Sequence, residues 1–221
     1  MQHFTIVIPA YNVEKWVRKN VVSAVTQEYE NFEVVYINDC STDKTGHVVS
    51  ETLDYFGNPK NFTYVENSEN RKALYNIYDA VRNSQEGSVI VTLDGDDWLS
   101  TSNVLSLLND VYNTGDVWIT AGSYIINSNG VISSPNIHNG FWNGNIRRHV
   151  WTISHLRTFR KELFMSIKKD DMLDHDGDFY KFTFDQAMMF PMVEMAGPEH
   201  FCAVNEVLYV YNRENPLSAV S

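Results

Sequence analysis

The sequence predicts an α/β protein with a mostly parallel central sheet flanked by helices. Two observations carry this expectation. Short β-branched apolar runs alternate with helical periodicity through the first half of the chain, the pattern of successive βαβ units. Several of those runs end abruptly in polar loops, and one, Val89–Leu93, empties into Asp94-Gly95-Asp96-Asp97. The chain has 221 residues, 43% of them apolar and 20% charged, which suits one large globular domain with a sizeable core.

Phe4–Pro9 reads as the first strand, which Pro9 should terminate because proline cannot continue a central ladder. Ala10–Asn12 follows as a loop. Trp16, Val17, Val21, Ala24 and Val25 lie at helical spacing in a helix from about Glu14 to Thr26. Phe32–Ile37 is a second strand ending at Asn38-Asp39, and Cys40–Asp43 is a turn and cap. A helix from about Thr45 to Phe56 is stopped by Gly57-Asn58-Pro59. Phe62–Val65 is the third strand and Ala73–Asn83 the third helix. Val89–Leu93 is the fourth strand and Asn103–Tyr112 the fourth helix, with Trp98 and Leu99 burying the far side of the acidic turn between them. The loops Pro9–Asn12, Asn38–Asp43 and Asp94–Asp97 each follow a strand, so all three should gather on one edge of the sheet.

The second half changes character. Asp116–Gly122 and Tyr124–Ile126 read as strands, and Asn127–Gly130 as a hairpin turn into Val131-Ile132. Ser133–Asn145, rich in Asn, Gly, Ser and Pro, reads as a loop. Leu156–Phe164 mixes basic and apolar residues, and the charged stretch Lys168–Asp178 is expected to be mobile. Phe184–Ala196 is a helix whose Met188, Met189, Met192 and Met195 read as core filler. Val207–Tyr211 is a closing strand and Leu217–Ser221 a fraying tail.

The formal net charge of −11 argues against a nucleic-acid surface, which needs a basic patch. It leaves room for a phosphate ligand, because a bound cation reverses the local field. Cys40 and Cys202 lack metal-ligand spacing and read as two buried thiols in a reducing compartment. No apolar run approaches the ~18–20 residues of a membrane span, and the N-terminus shows no signal-peptide pattern. The expected setting is the cytoplasm, soluble or peripheral to a membrane.

Three carboxylates within four residues repel one another unless something neutralises them. A hard divalent cation, Mn²⁺ or Mg²⁺, bound together with a substrate diphosphate is one solution; an acidic turn capping the following helix is the other. Gly95 allows a sharp turn or a close backbone approach. Asp39 could accept hydrogen bonds from a base or ribose, or stabilise its own turn; Tyr11 could stack on a base, or cover the sheet edge. Their convergence with Asp94–Asp97 favours a nucleotide. Neither a Gly-x-x-x-x-Gly-Lys-Ser/Thr loop nor Gly-x-Gly-x-x-Gly is present.

Ile6–Asn12, Ile37–Asp43 and Leu93–Leu99 resemble, in order and spacing, the three signatures of family 2 of the inverting glycosyltransferases. The resemblance covers residues 3–120 strongly and continues weakly to Asn215 through His155–Arg160 and Asp185–Met188. It implies the GT-A fold, a Rossmann-like sheet with a smaller mixed acceptor-side region. Residues 1–120 would form the nucleotide-sugar-binding half and 121–221 the acceptor and catalytic-base half. Pro9, Tyr11 and Asn12 would line the nucleobase pocket, and Asp39 would hydrogen-bond the base, usually uracil. Lys72, standing where the family has glycine, would reach a donor phosphate. Asp94, Gly95 and Asp96 match the Asp-x-Asp motif, with Asp96 a direct ligand of Mn²⁺ or Mg²⁺, Asp94 nearer the ribose and in the metal's reach, and Asp97 orienting both. His155 is a candidate further ligand. A basic cluster of His155, Arg157 and Arg160 could equally hold the diphosphate. Asp185 would be the general base, although Phe184-Asp185 replaces the family's acidic pair and a first-turn helix acid explains it equally. The Gln-x-x-Arg-Trp motif of processive synthases is absent, which points to single transfer. The implied reaction moves a hexose-type sugar from a nucleoside diphosphate sugar, UDP-linked in most members, to a hydroxyl of a glycan or glycoconjugate. The rival readings are a nucleotidyltransferase and a non-catalytic nucleotide-sugar or glycan-binding module.

Overall fold

The structure, a computed structural model, describes residues 1–137, 139–142 and 146–216. The first half builds β1 (Phe4–Ala10), α1 (Val17–Val25), β2 (Phe32–Asn38), α2 (Thr45–Tyr55), β3 (Phe62–Glu66), α3 (Ala73–Asn83) and β4 (Val89–Thr92). β1 pairs in parallel with β2 on one side and β4 on the other, and β2 pairs in parallel with β3. The order β3-β2-β1-β4 reverses direction between β1 and β4, the switch point at which open α/β sheets bind ligands.

Each central strand is apolar on both faces, as expected for a sheet covered on both sides. Phe4, Ile6 and Ile8 of β1 enter the core under α1, α2 and α4 (Val104–Asn113), whereas Val7 enters the core under α3. In β4 the same alternation sends Val89 and Val91 one way and Ile90 the other.

The chain then adds β5 (Trp98–Leu99), β6 (Ile119–Ile126), β7 (Ile132–Ser133), α5 (Asn139–Trp142), β8 (Arg157–Arg160), α6 (Lys161–Met165), α7 (Phe184–His200) and β9 (Phe201–Tyr211). β8 inserts antiparallel between β4 and β6, β6 lies parallel to β9, and β9 pairs antiparallel with β5. The sheet is therefore mixed in its second half.

Four expectations change. Pro9 does not end β1, which runs on through Ala10 with Pro9 opposite Ile37. The carbonyls of Val7 and Pro9 accept from Leu93 and Gly95, so the missing Pro9 N–H faces the β4 side, beyond that strand's end at Thr92. The two strands expected on either side of Ser123 are one strand, β6, and the apparent break marks a register shift against β9. Leu156–Phe164 holds a buried strand and a short helix, and the Phe184–Ala196 helix is extended to His200 through a kink at Gly197. The charged stretch Lys168–Asp178 contains a 3-10 turn, Lys169–Met172, pinned by the fully buried Met172.

Met188, Met189 and Met192 fill the core, while Met195 is exposed. Both cysteines are free thiols and half-buried rather than buried. Among the described residues no helix is long and apolar enough to cross a membrane. The tail Leu217–Ser221 and positions 138 and 143–145 of the Ser133–Asn145 loop lie outside the described residues.

Candidate active site

The three polar loops meet at the switch point. The Asp39 N–H donates to the Ala10 carbonyl (2.8 Å) and the Gly95 N–H to the Pro9 carbonyl (3.2 Å). Gly95 is required by close approach: a Cβ there would stand 2.7 Å from Ala10 Cβ and 2.9 Å from Ala10 Cα. The first loop is tied to the second through Asn12, whose Oδ1 accepts from the Thr42 N–H (2.8 Å) and whose own N–H donates to Ser41 Oγ (3.0 Å).

Asp39 is buried and holds the segment before α3. Its Oδ1 accepts from Asn67 Nδ2 (2.8 Å) and the Arg71 N–H (2.9 Å), and its Oδ2 from the Lys72 N–H (2.9 Å). Lys72 has φ of 70°, a left-handed conformation that costs a lysine but not a glycine. Its Nζ lies 6.0 Å from the centre of the Tyr11 ring, which is 40% exposed. Of the residues expected around a base, Tyr11 is open, whereas Asn12 and Asp39 tie loops together.

The acidic turn is held from behind by residues the sequence reading did not single out. Asn20, buried on the apolar face of α1, donates Nδ2 to the carbonyls of Asp94 (3.0 Å) and Asp97 (2.8 Å). Asp97 is buried; its Oδ2 accepts from the Tyr209 hydroxyl and its Oδ1 from the Asn212 N–H (2.7 Å). Asp96 Oδ2 accepts from Asn215 Nδ2 (2.7 Å). The one available signal was Asn20, a lone amide among Val17, Val21 and Ala24. Tyr209, Asn212 and Asn215 lie more than 100 residues away, and only the β9 pairing brings them in.

Arg157 is 2% exposed and lies between two carboxylates. Its Nη2 is 3.1 Å from both oxygens of Asp94, its Nη1 is 3.9 Å from Asp185 Oδ2, and its Nε donates to Thr92 Oγ1 (3.2 Å). Asp185 is in the first turn of α7. Arg160 does not join this cluster. Residues three apart on a strand face opposite ways, and its Nε donates instead to the Val117 carbonyl (2.8 Å).

His155 stacks on Tyr209 with ring centres 4.5 Å apart. Its Nδ1 is buried, has no hydrogen-bond partner and lies 4.0 Å from Asp94 Oδ2. Burial and the adjacent Arg157 charge push the imidazole well below its usual range, so it is neutral at pH 7 and the contact with Asp94 is no ion pair. A neutral imidazole with an unpartnered nitrogen beside a carboxylate is what a divalent cation takes as ligand. Ligand atoms of Asp94, Asp97 and His155 lie within 4.8 Å of one another. The expected ligand set had Asp96 in place of Asp97.

Burial, then repulsion from Asp96 and Asp94, pushes the Asp97 carboxyl well above its ordinary 3.8. An acid whose pKa rises on folding binds more protons folded than unfolded, so its contribution to stability falls as pH climbs from the unfolded value through the raised one. The metal-free protein should therefore lose melting temperature as pH rises from 3.8 through that raised value, and Asp97→Asn should flatten that slope. An unchanged slope in the variant would remove Asp97 as its source. Gly95→Ala should lower unfolding free energy by about 1–3 kcal/mol in urea titrations, since the new methyl overpacks Ala10. Lys72→Gly should match or exceed the parent in stability, and Lys72→Ala should not, because only glycine relieves the positive φ.

The family model described as Glycosyl transferase family 2 matches residues 5–176. Glycosyltransferase GlyA of Streptococcus pneumoniae serotype 4 is 31% identical over 107 residues, 48% of this chain and 15% of that protein. The crystal structure of Staphylococcus aureus TarS 1–349 in complex with UDP superposes with a TM-score of 0.70 at 20% identity, covering 96% of this chain and 60% of that one. Glucosyl-3-phosphoglycerate synthase from Mycobacterium tuberculosis, solved with Mn²⁺, UDP and phosphoglyceric acid, superposes with a TM-score of 0.66 at 13% identity, covering 98% and 72%. This chain thus spans only part of each relative's length. The family match covers most of the sequence and the neighbours share the curled mixed sheet, so the chain belongs to glycosyl transferase family 2 and has the GT-A fold.

Proposed function

We propose that this chain is a metal-dependent, inverting glycosyltransferase that moves a hexose from a UDP-linked donor to an acceptor hydroxyl. The observation that carries the reading is one cluster at the switch point: Asp94 beside an unpartnered neutral His155, with Asp185 joined to Asp94 through Arg157. The bound UDP in the TarS structure and the Mn²⁺ and UDP in the mycobacterial synthase are in keeping with it.

Residues 1–120 supply the donor half. Pro9 shapes the loop under the base, the open Tyr11 ring stacks on it, and the second lone pair of Asp39 Oδ2 accepts from it. Asn12 keeps that loop against Thr42. Asp94 and His155 would hold Mn²⁺ or Mg²⁺, with Asp96 rather than the nearer Asp97 as third ligand, because both Asp97 oxygens already accept from Tyr209 and the Asn212 N–H and fix the turn behind them. Held there, such a cation would neutralise negative charge on the departing diphosphate. Lys72, beside the Tyr11 ring, adds a second positive charge on the donor side.

Residues 121–221 supply the acceptor half. Asp185 accepts the proton of the acceptor hydroxyl, whose oxygen bonds to the anomeric carbon from the face opposite the diphosphate. The bond from that carbon to the diphosphate oxygen breaks, and its electron pair leaves with UDP. Arg157, with Nη1 3.9 Å from Asp185 Oδ2, aims that carboxylate and balances Asp94 when no cation is bound. Permanently charged and almost wholly enclosed, it acts on those carboxylates rather than on bulk diphosphate.

Asp185→Asn should lower transfer by roughly 10²–10⁴-fold with UDP affinity unchanged, read by UDP release and by titration calorimetry. Retained transfer would reject Asp185 as the base. Chelation with EDTA and Asp96→Ala should each abolish UDP release from UDP-sugars; activity surviving both would reject the metal.

A further inference from the structure

One buried side chain touches three of the groups around the proposed cation. Tyr209 lies on β9, which pairs with β5 so that Leu99, two residues beyond the acidic turn, stands opposite it. Its hydroxyl oxygen accepts from the Asp94 N–H (3.3 Å), and its single proton goes to Asp97 Oδ2. Its ring is parallel to the His155 imidazole, with planes 5° apart and centres 4.5 Å apart. Residues two apart on a strand share a face, so Tyr211 follows Tyr209 onto the imidazole, with centres 4.9 Å apart. Tyr124 of β6, the register partner of Tyr209, meets it edge-on at 5.4 Å. Three aromatic rings thus hold the plane of the imidazole, the task that a second hydrogen bond performs for most histidine ligands. The unpartnered Nδ1 of His155 is left beside Asp94.

The hydroxyl acts in the opposite sense. A ligand atom of Asp97 lies within 4.8 Å of those of Asp94 and His155, so distance alone would admit Asp97 to the set. The phenol and the Asn212 N–H hold its two oxygens at the back of the turn. Turning either oxygen toward a cation breaks a charge-assisted hydrogen bond.

We propose that Tyr209 selects the ligands of the cation: its ring presents His155, and its hydroxyl withholds Asp97 so that Asp96 serves instead. Tyr209 is thereby a positioning residue, acting through His155 and Asp97, and its role rests on the metal-dependent reading.

The test follows Mn²⁺ binding to the whole chain by electron paramagnetic resonance, with and without UDP, and takes nitrogen coupling to the metal as the sign of the imidazole. The parent should show a coupling that His155→Ala removes. Tyr209→Leu, which loses both ring and hydroxyl, should lose the coupling and bind Mn²⁺ about 10–100-fold more weakly. Tyr209→Phe keeps the ring and should keep the coupling. Asp96→Ala should also weaken Mn²⁺ binding about 10–100-fold, and Asp96→Ala combined with Tyr209→Phe should recover most of that loss, because Asp97 is released to take the place of Asp96. A tyrosine that only packed the core would give no such rescue. Coupling that survives Tyr209→Leu, or that vanishes in Tyr209→Phe, overturns the part given to the ring. A double variant that binds no tighter than Asp96→Ala overturns the part given to the hydroxyl, and this arm keeps its force should Tyr209→Leu fail to fold. Each of those outcomes leaves the metal itself standing. Mn²⁺ bound to the parent without nitrogen coupling overturns His155 as a ligand and the selection with it. A parent that binds no Mn²⁺, with or without UDP, overturns the metal-dependent reading and the selection together.

Discussion

Everything at this site depends on burying a turn that carries three carboxylates. An ionised carboxylate taken out of water is costly unless it is paired and hydrogen-bonded. Here the compensation is assembled from the whole chain. Arg157 comes from β8, Tyr209 from β9, Asn212 and Asn215 from beyond it, and Asn20 from α1. The Arg157–Asp94 contact is the central one. Removing one partner of such a buried pair typically costs about 3–5 kcal/mol, because the other is left as an uncompensated charge.

That requirement explains the topology of the second half. A parallel strand beside β4 would need another crossover helix. The chain instead inserts β8 antiparallel, with Arg157 opposite Thr92 at the last pair of the ladder. The guanidinium therefore arrives where β4 gives out and the acidic turn begins. Four residues on, the same segment becomes α6, and α7 then returns with Asp185 to the other side of Arg157. One buried cation thus fixes the distance between the turn and the helix that the proposed reaction requires to face each other.

The fold of the first half was legible because its signals are local. Val89–Leu93 announces a doubly covered strand by composition alone, and Ala73–Asn83 shows its helix by period. Pro9 misled, because the rule against proline in a ladder presumes a partner on the N–H side, and β4 has already ended there. β8 was illegible for a related reason. Two arginines in a four-residue strand read as surface, and only Asp94, 63 residues earlier, makes Arg157 a core residue. The acidic turn, Tyr11, Asp39 and Asp185 could be named from the sequence. What Asp39 touches could not, since its partners Asn67, Arg71 and Lys72 are defined by the way the third loop folds back.

In the proposed reading Asp39 also sets how the donor side behaves. Three hydrogen bonds already converge on its carboxylate, so a base arriving there finds the loop anchored rather than open. The backbone N–H of Lys72 is one of those three donors, and Lys72 is held at a φ that its side chain disfavours. A lysine kept at such a cost, where glycine would be free of it, implies that its ammonium does something glycine cannot. Its ammonium lies 6.0 Å from the Tyr11 ring, and the residue lines a cavity that Lys169 also faces. In the proposed reading this strained residue serves the donor side. A change in Asp39 would reach that ammonium through the Lys72 backbone N–H, which donates to its carboxylate.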